Sequence, residues 1–295
     1  MTYVVGYSPW HTDFGVLDFA AQLARSDGHR LRVVVAVPDT WPTPVARGSD
    51  REFGQWAAQQ GSDAVAEAQR VLGDNSPDVE AEVVWESARS VPPLLLSQAD
   101  TVGADLIVVG SAQHGPSGQI TISSKANRLL HSSPIPVALA PRAYHPVKGS
   151  KITRITCAFR GDEASRATLS RAAAMCKRTG QRLRVATFGV RGRRMYPPEV
   201  SGAEQVVLDA WLEQSREAQK EAIAATKAEH EFTADVDGLI AVGRSWADAM
   251  DDVDWNREDV LVVGSSSTGT FSQIFLGSSA AKIVRFAPVP VVVVP

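Results

Sequence analysis

Short apolar runs alternate along the chain with longer stretches in which apolar residues recur every three or four positions. The short runs are rich in Val, Ile and Leu, and some of them, such as residues 106–109 (LIVV), are apolar at every position. Such runs are typical of strands in a parallel sheet that is covered by helices on both faces. The pattern predicts strands at residues 3–7, 31–37, 79–84, 105–110, 136–140, 152–159, 183–188, 233–240, 259–264 and 290–294.

The stretches between these strands have the period of amphipathic helices. Two of them carry matching apolar stripes, Leu17, Ala20, Ala21 and Ala24 in one, and Leu169, Ala172, Ala173 and Cys176 in the other. Longer helices are predicted over residues 54–72 and 205–229. Strands that alternate with helices in this way indicate the α/β class, with a parallel sheet and crossover helices.

Three segments recur in the same order at nearly the same spacing. Residues 28–33 (GHRLRV) match 180–185 (GQRLRV), residues 105–111 (DLIVVGS) match 259–265 (DVLVVGS), and residues 134–137 (PIPV) match 288–291 (PVPV). A repeat of this length indicates a duplicated domain. The chain is therefore predicted to be two tandem domains, each with a five-stranded parallel sheet and helices on both faces.

The boundary between the copies is predicted at a polar segment that contains Pro and Gly, residues 144–150 (YHPVKGS). It divides the chain into a first domain of residues 1–147 and a second of residues 148–295. Prolines bracket the last strand of each copy, as expected for edge strands. Because short apolar edges tend to pair, we expect the two copies to form an intramolecular pseudo-dimer, and a homodimer is a further option.

Composition and charge exclude several function classes. The 295 residues carry a net charge of −3, which provides no field to gather nucleic acid or an anionic membrane. The N-terminus lacks the pattern of a signal peptide, and no apolar run reaches the ~20 residues of a transmembrane helix, so a cytoplasmic location is expected. The six histidines do not pair with one another or with cysteine at metal-ligand spacing, so no metal site is expected.

The loop after the fourth strand of the second copy carries the candidate chemistry. It leaves the strand at Gly264, continues through the hydroxylic residues 265–268, and reaches Gly277 just before a predicted helix. Glycines allow close approach of a ligand to the backbone, and the free amides of a helix start attract phosphate. Glycine after a strand and serine at a helix start are also common without any ligand, so the pattern alone leaves both alternatives open.

With these motifs the chain resembles the universal stress protein family over essentially its whole length, as a tandem two-domain member. The resemblance rests on the Val-Val-Gly-Ser strand exit, the spaced glycines of the loop, and the Pro-Val-Pro-Val last strand. It implies a Rossmann-like fold of the adenine nucleotide alpha hydrolase-like type, dimerisation through last strands, and in many members ATP or AMP at the loop. Some members lack the loop and bind no nucleotide.

The second copy keeps most of the family's loop. Gly264 and Gly277 match the first and third glycines, whereas Ser267 stands where the family has the second. The resemblance implies that phosphates are held by a set of loop and helix-start residues, Gly264, Ser265, Ser266, Ser267, Gly277, Ser278 and Ser279. Residues that follow the first two strands of this copy, Ala158, Phe159, Arg160 and Phe188, are expected to border the base and ribose.

The first copy departs further from the family pattern. Gly110 is kept, but Gln113 replaces the second glycine, and Ser123, followed by Ser124, replaces the third. We expect the side chain of Gln113 to enter the space for phosphates and Ser123 to restrict the turn before the helix. Gly110, Ser123 and Ser124 are therefore predicted as a weak second site at most.

Both copies depart from the family at the Asp that it usually carries after the first strand. Alignment of the helical stripes places Ser8 and Arg160 there. Arginine cannot bind a cation, but its planar guanidinium can pair with phosphate, so the predicted ligand is ATP or AMP with no requirement for magnesium. The alternative is that Arg160 is solvated.

Two classes of function remain. The first is a non-enzymatic, nucleotide-binding stress or regulatory protein that holds ATP or AMP mainly in the second domain. The alternative is a nucleotide-independent module for dimerisation and protein contacts. It is favoured by the loss of two glycines from the first copy's loop and by the absence of the family's Asp after the first strand of both copies. An enzyme that acts on an adenylated or phosphorylated small molecule is weaker, because the sequence positions no general base at the loop.

Overall fold

The computed structural model describes residues 1–9, 13–39, 49–191, 201–231, 236–265 and 276–295. These residues form two compact units, one within residues 1–151 and the other within residues 152–294. The elements of the first unit are β1 (Thr2–Tyr7), α1 (Gly15–Asp27), β2 (Arg30–Pro38), α2 (Ser49–Asn75), β3 (Ala81–Ala88), α3 (Val91–Val102), β4 (Leu106–Gly110), α4 (Ser124–Ser132) and β5 (Val137–Ala140).

The second unit repeats this order of elements. They are β6 (Arg154–Ala158), α5 (Glu163–Thr179), β7 (Arg182–Val190), α6 (Ser201–His230), β8 (Val236–Gly243), α7 (Trp246–Asp251), β9 (Asp259–Gly264), α8 (Ser278–Phe286) and β10 (Val291–Val294). No helix in the described ranges is both long and apolar enough to cross a membrane.

Each unit contains parallel strands in the same spatial order. In the first unit the order is β3-β2-β1-β4-β5, and in the second it is β8-β7-β6-β9-β10. Successive strands are added toward one edge of the sheet up to the third strand and toward the other edge from the fourth, so the strand order reverses between β1 and β4 and between β6 and β9. Ligands of open α/β sheets bind at such switch points, beyond the carboxyl ends of the strands.

Two glycines show that helices cover both faces of the first sheet. The register of β1 against β4 places Gly6 beside Val109, and an added Cβ at Gly6 would lie 2.8 Å from Cδ1 of Leu95 on α3. At the next residue, Gly110, an added Cβ would lie 3.5 Å from Val16 on α1. Consecutive residues of a strand point to opposite faces, so α1 and α3 lie on opposite sides of the sheet. The predicted fold class is confirmed.

The ends of both third strands were predicted too early. β3 continues to Ala88, beyond the predicted end at 84, and β8 continues to Gly243, beyond the predicted end at 240. The extra residues of β3 include Trp85 and Ser87, which are exposed. Polar residues such as Glu86 and Ser87 still pair along an outermost strand, which is why the apolar run underestimates the extent of β3; the extra residues of β8 are apolar and are not explained in this way.

Candidate functional site

A cavity of about 270 Å³ opens at the carboxyl ends of β1 and β4 in the first unit. Its buried walls are apolar and include Val16 of α1, Leu95 of α3 and Leu129 of α4. At one end it meets the start of α4 at Ser124 and Lys125. The cavity therefore combines an apolar interior with a helix N-terminus at the switch point of the sheet, which is the usual place for a ligand in this architecture.

The residues of the predicted weak site come together around this cavity. Gly110, Ser123 and Ser124 all line it, and Gln113 lies exposed in its wall. The expectation that Gln113 enters the space for phosphates stays a prediction, because Gln113 lines the cavity with an exposed side chain.

Ser123 caps α4 instead of straining the turn before it. Its backbone angles, φ −71° and ψ 161°, are extended, and its side chain accepts a hydrogen bond from the amide of Ala126 at 3.1 Å. The expected restriction by a residue other than glycine is therefore absent, since any L-residue adopts this conformation. The amides of Ser124 and Lys125, the first two of the helix, have no acceptor within the helix.

The helix start in the second unit differs in its cap. Gly277 is the N-cap of α8, with φ −57° and ψ 156°, and has no side chain to accept a hydrogen bond. The amides of the first turn, including those of Ser278 and Ser279, thus lack the side-chain partner that Ser123 gives to α4. Ser266 and Ser267 lie outside the described residues.

Packing against a helix accounts for Gly264. An added Cβ would lie 2.4 Å from Oγ1 of Thr168 on α5, which leaves no room for a side chain. The amide of Ser265 donates to the carbonyl of Val294 at 2.8 Å, and Ser111 makes the equivalent bond to Ala140 in the first unit. The amides of Ser265 and Ser111 therefore each bond to the last strand of their unit, and they are not free to bind phosphate.

The predicted base and ribose residues lie at the ends of β6 and β7. Ala158 ends β6 and is half-buried, Phe159 is buried, and the ring of Phe188 lies 6.5 Å from that of Trp246. Arg160 is exposed and donates through Nε to the carboxylate of Asp162 at 2.8 Å, with a second bond from its terminal nitrogen. The guanidinium is therefore already engaged by a neighbouring carboxylate.

Asp162 uses the same carboxylate to cap α5. Oδ1 accepts a hydrogen bond from the amide of Ser165 at 2.9 Å. Partial burial raises the pKa of Asp162, but the hydrogen bonds from Arg160 and Ser165 outweigh it, and the net pKa lies below its usual value of 3.8. Arg160 and Asp162 thus form a structural pair at the helix start.

Two charged residues of the first cavity were missed in the sequence. Asp13 and Lys125 both line it, as does Ser8. The oxygens of Asp13 accept hydrogen bonds from the amide of Gly15 at 2.9 Å and from that of Ala143 at 2.7 Å. A carboxylate after the first strand is therefore present at this cavity. It belongs to Asp13, five residues after Ser8, which the alignment of helical stripes places at the family's Asp position.

The first helices of the two units begin at different points relative to the matching stripes. α1 begins two residues before Leu17, whereas α5 begins six residues before the matching Leu169. The stripe therefore aligned the helix bodies but not the loops before them. The signal available in the sequence was Asp13 itself, a carboxylate in the loop after β1. Within the described ranges, no group of three acidic, His or Cys side chains could hold a metal ion.

Comparisons with known proteins agree with this architecture. The sequence model of the universal stress protein family matches residues 4–141 and 151–295. The chain is 38% identical over 296 aligned residues to the universal stress proteins Rv2319c of Mycobacterium tuberculosis and Mb2346c of Mycobacterium bovis, and the alignments cover 100% of each chain.

Solved structures of this family have the same fold. A universal stress protein from Archaeoglobus fulgidus superimposes with a TM-score of 0.60 at 17% identity, covering 99% of this chain and 97% of that one. Another structure from A. fulgidus, solved in complex with dAMP, matches 48% of this chain at 24% identity, covers 97% of that chain and has a TM-score of 0.33. From the family match to both halves and the full-length relatives, this chain belongs to the universal stress protein family.

Proposed function

We propose that this chain is a stress-response or regulatory protein that binds an adenine nucleotide, ATP or AMP, at the carboxyl ends of its parallel strands. The observation that carries the proposal is the open cavity between β1 and β4, which has an apolar interior and meets the N-terminus of α4. An apolar pocket suits a base, and free helix amides suit a phosphate. Family membership supports adenine as the base.

We place the main site in the second unit, at the start of α8. Gly277 leaves the whole first turn of α8 without a side-chain cap, whereas Ser123 already satisfies Ala126 in α4. Among the described residues, more amides are therefore without a side-chain acceptor at α8, and the residue before them adds no bulk. Phosphates would contact the amides and hydroxyls of Ser278 and Ser279.

Two titratable groups of the first cavity, Asp13 and Tyr7, are held in structural hydrogen bonds, which supports a binding role for both. Asp13 holds the amides of Gly15 and Ala143. The hydroxyl of Tyr7 donates to Glu67 at 3.1 Å, and burial, followed by the charge of Glu67, raises the pKa of Tyr7 well above its usual value. Tyr7 therefore stays protonated at neutral pH, and neither group serves as a ready general base. We propose that the bound nucleotide sets a regulatory state, and that the protein acts in the cytoplasm.

Thermal shift with ATP and AMP, with and without magnesium, tests this function on the full chain. A ligand at a hundredfold excess over its Kd stabilises the folded protein by ~2.7 kcal/mol. Gly277→Val adds a branched side chain at the helix start, in a backbone conformation that valine also adopts. We expect this variant to lose most of the shift with ATP.

Gly73→Val is the matched control. Gly73 is exposed on α2, and an added Cβ there has no neighbour within 4 Å. This variant should keep the full shift. A wild-type protein that shows no shift at millimolar nucleotide would favour the interaction module, and a Gly277→Val protein with wild-type affinity would show that the main site lies elsewhere.

A further inference from the structure

The cavity of the first unit is small for a complete nucleoside triphosphate. Its volume of about 270 Å³ lies just under the ~300–1,000 Å³ typical of small-molecule pockets. Buried apolar side chains, Val16, Leu95, Val109 and Leu129, line its interior. A base and sugar can use this interior, so any phosphate must lie at the polar end where α4 begins.

The loop that would cradle further phosphates is already bonded to itself. The amide of Ala112 donates to the carbonyl of Thr121 at 2.8 Å, and the amide of Thr121 donates to Oγ of Ser111 at 2.8 Å. The amide of Gly115 donates to the carbonyl of Ala112 at 3.2 Å. A phosphate would have to displace these bonds to gain the same donors, so these three amides offer it little net stabilisation.

The segment after β5 closes the same loop from outside. The amide of Gly118 donates to the carbonyl of Arg142 at 2.8 Å, and the amide of Arg142 donates to the carbonyl of Gln119 at 3.0 Å. The guanidinium of Arg142 also donates to the carbonyl of Gly115. Hydrogen bonds within the loop and to Arg142 thus hold it in place, and they oppose the rearrangement that a polyphosphate would need.

The start of α4 offers a phosphate one compact cluster of donors. The first two amides of α4, those of Ser124 and Lys125, have no helical acceptor. The ammonium group of Lys125 makes no hydrogen bond or ion pair within the described ranges, and the residue is exposed at the cavity wall. Two amides and one ammonium match a single phosphate group.

The charge balance of the cavity favours the same ligand. Of its lining residues, Lys125 is the one lysine or arginine, and it is offset by Asp13. Each phosphate beyond the first adds negative charge that no second lysine or arginine in the lining neutralises, in a cavity that also contains the carboxylate of Asp13. Like charges held close together in a partly buried site repel strongly.

We propose that the first-unit cavity selects a nucleoside carrying a single phosphate over one carrying two or three, with Lys125 as the residue that pairs with that phosphate. The selection rests on the proposed nucleotide-binding function and adds a division between the units. In the second unit the equivalent of Lys125 is Ser279, and the equivalent of the capping Ser123 is Gly277. The first unit thus replaces backbone donors with one side-chain charge.

Isothermal titration of the full chain with AMP and ATP tests the selection. In Gly277→Val, where the main site is disabled, we expect AMP to bind at least tenfold more tightly than ATP. Adding Lys125→Met should weaken AMP binding about tenfold, because it removes a charge-assisted hydrogen bond. Lys220→Met, which removes an exposed lysine that pairs only with Glu217 one turn earlier on α6, is the matched control and should change neither affinity.

The outcomes separate the two proposals. If Gly277→Val binds ATP as tightly as AMP, or if Lys125→Met leaves AMP binding unchanged, the selection is wrong while nucleotide binding stands. If Gly277→Val binds no AMP, the first cavity is not a nucleotide site. If the wild-type protein binds neither nucleotide, the proposed function itself is wrong, and the selection fails with it.

Discussion

Replacing Asp259 with Asn should destabilise the second unit strongly. Asp259 is the first residue of β9 and is completely buried. Its carboxylate accepts hydrogen bonds from Arg154, at 3.0 Å from Nε and 2.5 Å from a terminal nitrogen, and from the amide of Asn256 at 3.0 Å. A terminal nitrogen of Arg184 lies 3.5 Å away. One carboxylate therefore neutralises two guanidinium groups.

The magnitude follows from the burial of these partners. The side chains of Arg154 and Arg184 are only 9% and 6% exposed, so Asp259→Asn removes the one carboxylate that forms an ion pair with both buried positive charges among the described residues. Loss of one partner from a buried ion pair costs ~3–5 kcal/mol. We expect about 3 kcal/mol, because the amide oxygen of Asn can still accept a hydrogen bond and both arginines also donate to the carbonyl of Asp254.

The repeat provides a matched control for this experiment. Asp105 is the equivalent residue of the first unit, but its side chain is 45% exposed and its ionic partner is His29 at 3.5 Å. Asp105→Asn should therefore cost less than ~1 kcal/mol.

Urea unfolding followed by circular dichroism and tryptophan fluorescence measures both variants. Trp255 is a local reporter, since the Arg184 guanidinium lies 5.0 Å from the centre of its ring. Equal losses for Asp259→Asn and Asp105→Asn would refute the reasoning, because exposure of the carboxylate is the main difference that it invokes.

Two further predictions concern the strand and helix ends near the second site. Gly264→Ala places a Cβ against Oγ1 of Thr168 and should lower the free energy of unfolding by ~1–3 kcal/mol. Thr168→Ala should restore most of this loss. Gly110→Ala is the control and should be nearly neutral, because its added Cβ has its nearest contact at 3.5 Å. Asp162→Ala removes a helix cap and should cost ~1 kcal/mol at pH 7. Because the pKa of Asp162 is lowered in the folded protein, its stabilisation is complete above the unfolded value of 3.8 and disappears as the pH falls through the folded value.

Each of these two has a result that would contradict it. Similar losses in Gly264→Ala and Gly110→Ala would mean that the close approach of α5 does not require glycine. A stability difference between wild type and Asp162→Ala that stays constant from pH 7 to pH 2 would mean that the carboxylate charge plays no part in the cap.

The fold could be predicted because its signals are local. Four-residue apolar runs such as 106–109, helical stripes such as the one through Leu17, and the recurrence of DLIVVGS as DVLVVGS depend only on neighbouring positions. Strand and helix periods differ enough to be recognised in short windows. The end of β3 was less well predicted, since polar residues such as Glu86 and Ser87 pair through the backbone and leave no apolar signal.

The geometry of the site was decided by contacts between distant positions. The carboxylate of Asp13 accepts a hydrogen bond from the amide of Ala143, and the guanidinium of Arg142 donates to the carbonyl of Gly115. The two residues of each pair are far apart in the sequence. The crossover connections of a parallel sheet bring such residues to one edge, and no short-range pattern encodes which of them share a cavity.

The sequence by itself determined that there are two units, their parallel α/β architecture and the edge at which a ligand would bind, because periodicity and repetition are properties of the chain alone. Only the tertiary structure decided which amides are free. The loop before α4 uses the amides of Ala112, Gly115 and Thr121 in its own hydrogen bonds, Ser123 caps the helix, and Lys125 lies at the cavity wall. Hydrogen bonding is a competition among groups close in space, so its outcome depends on the folded arrangement.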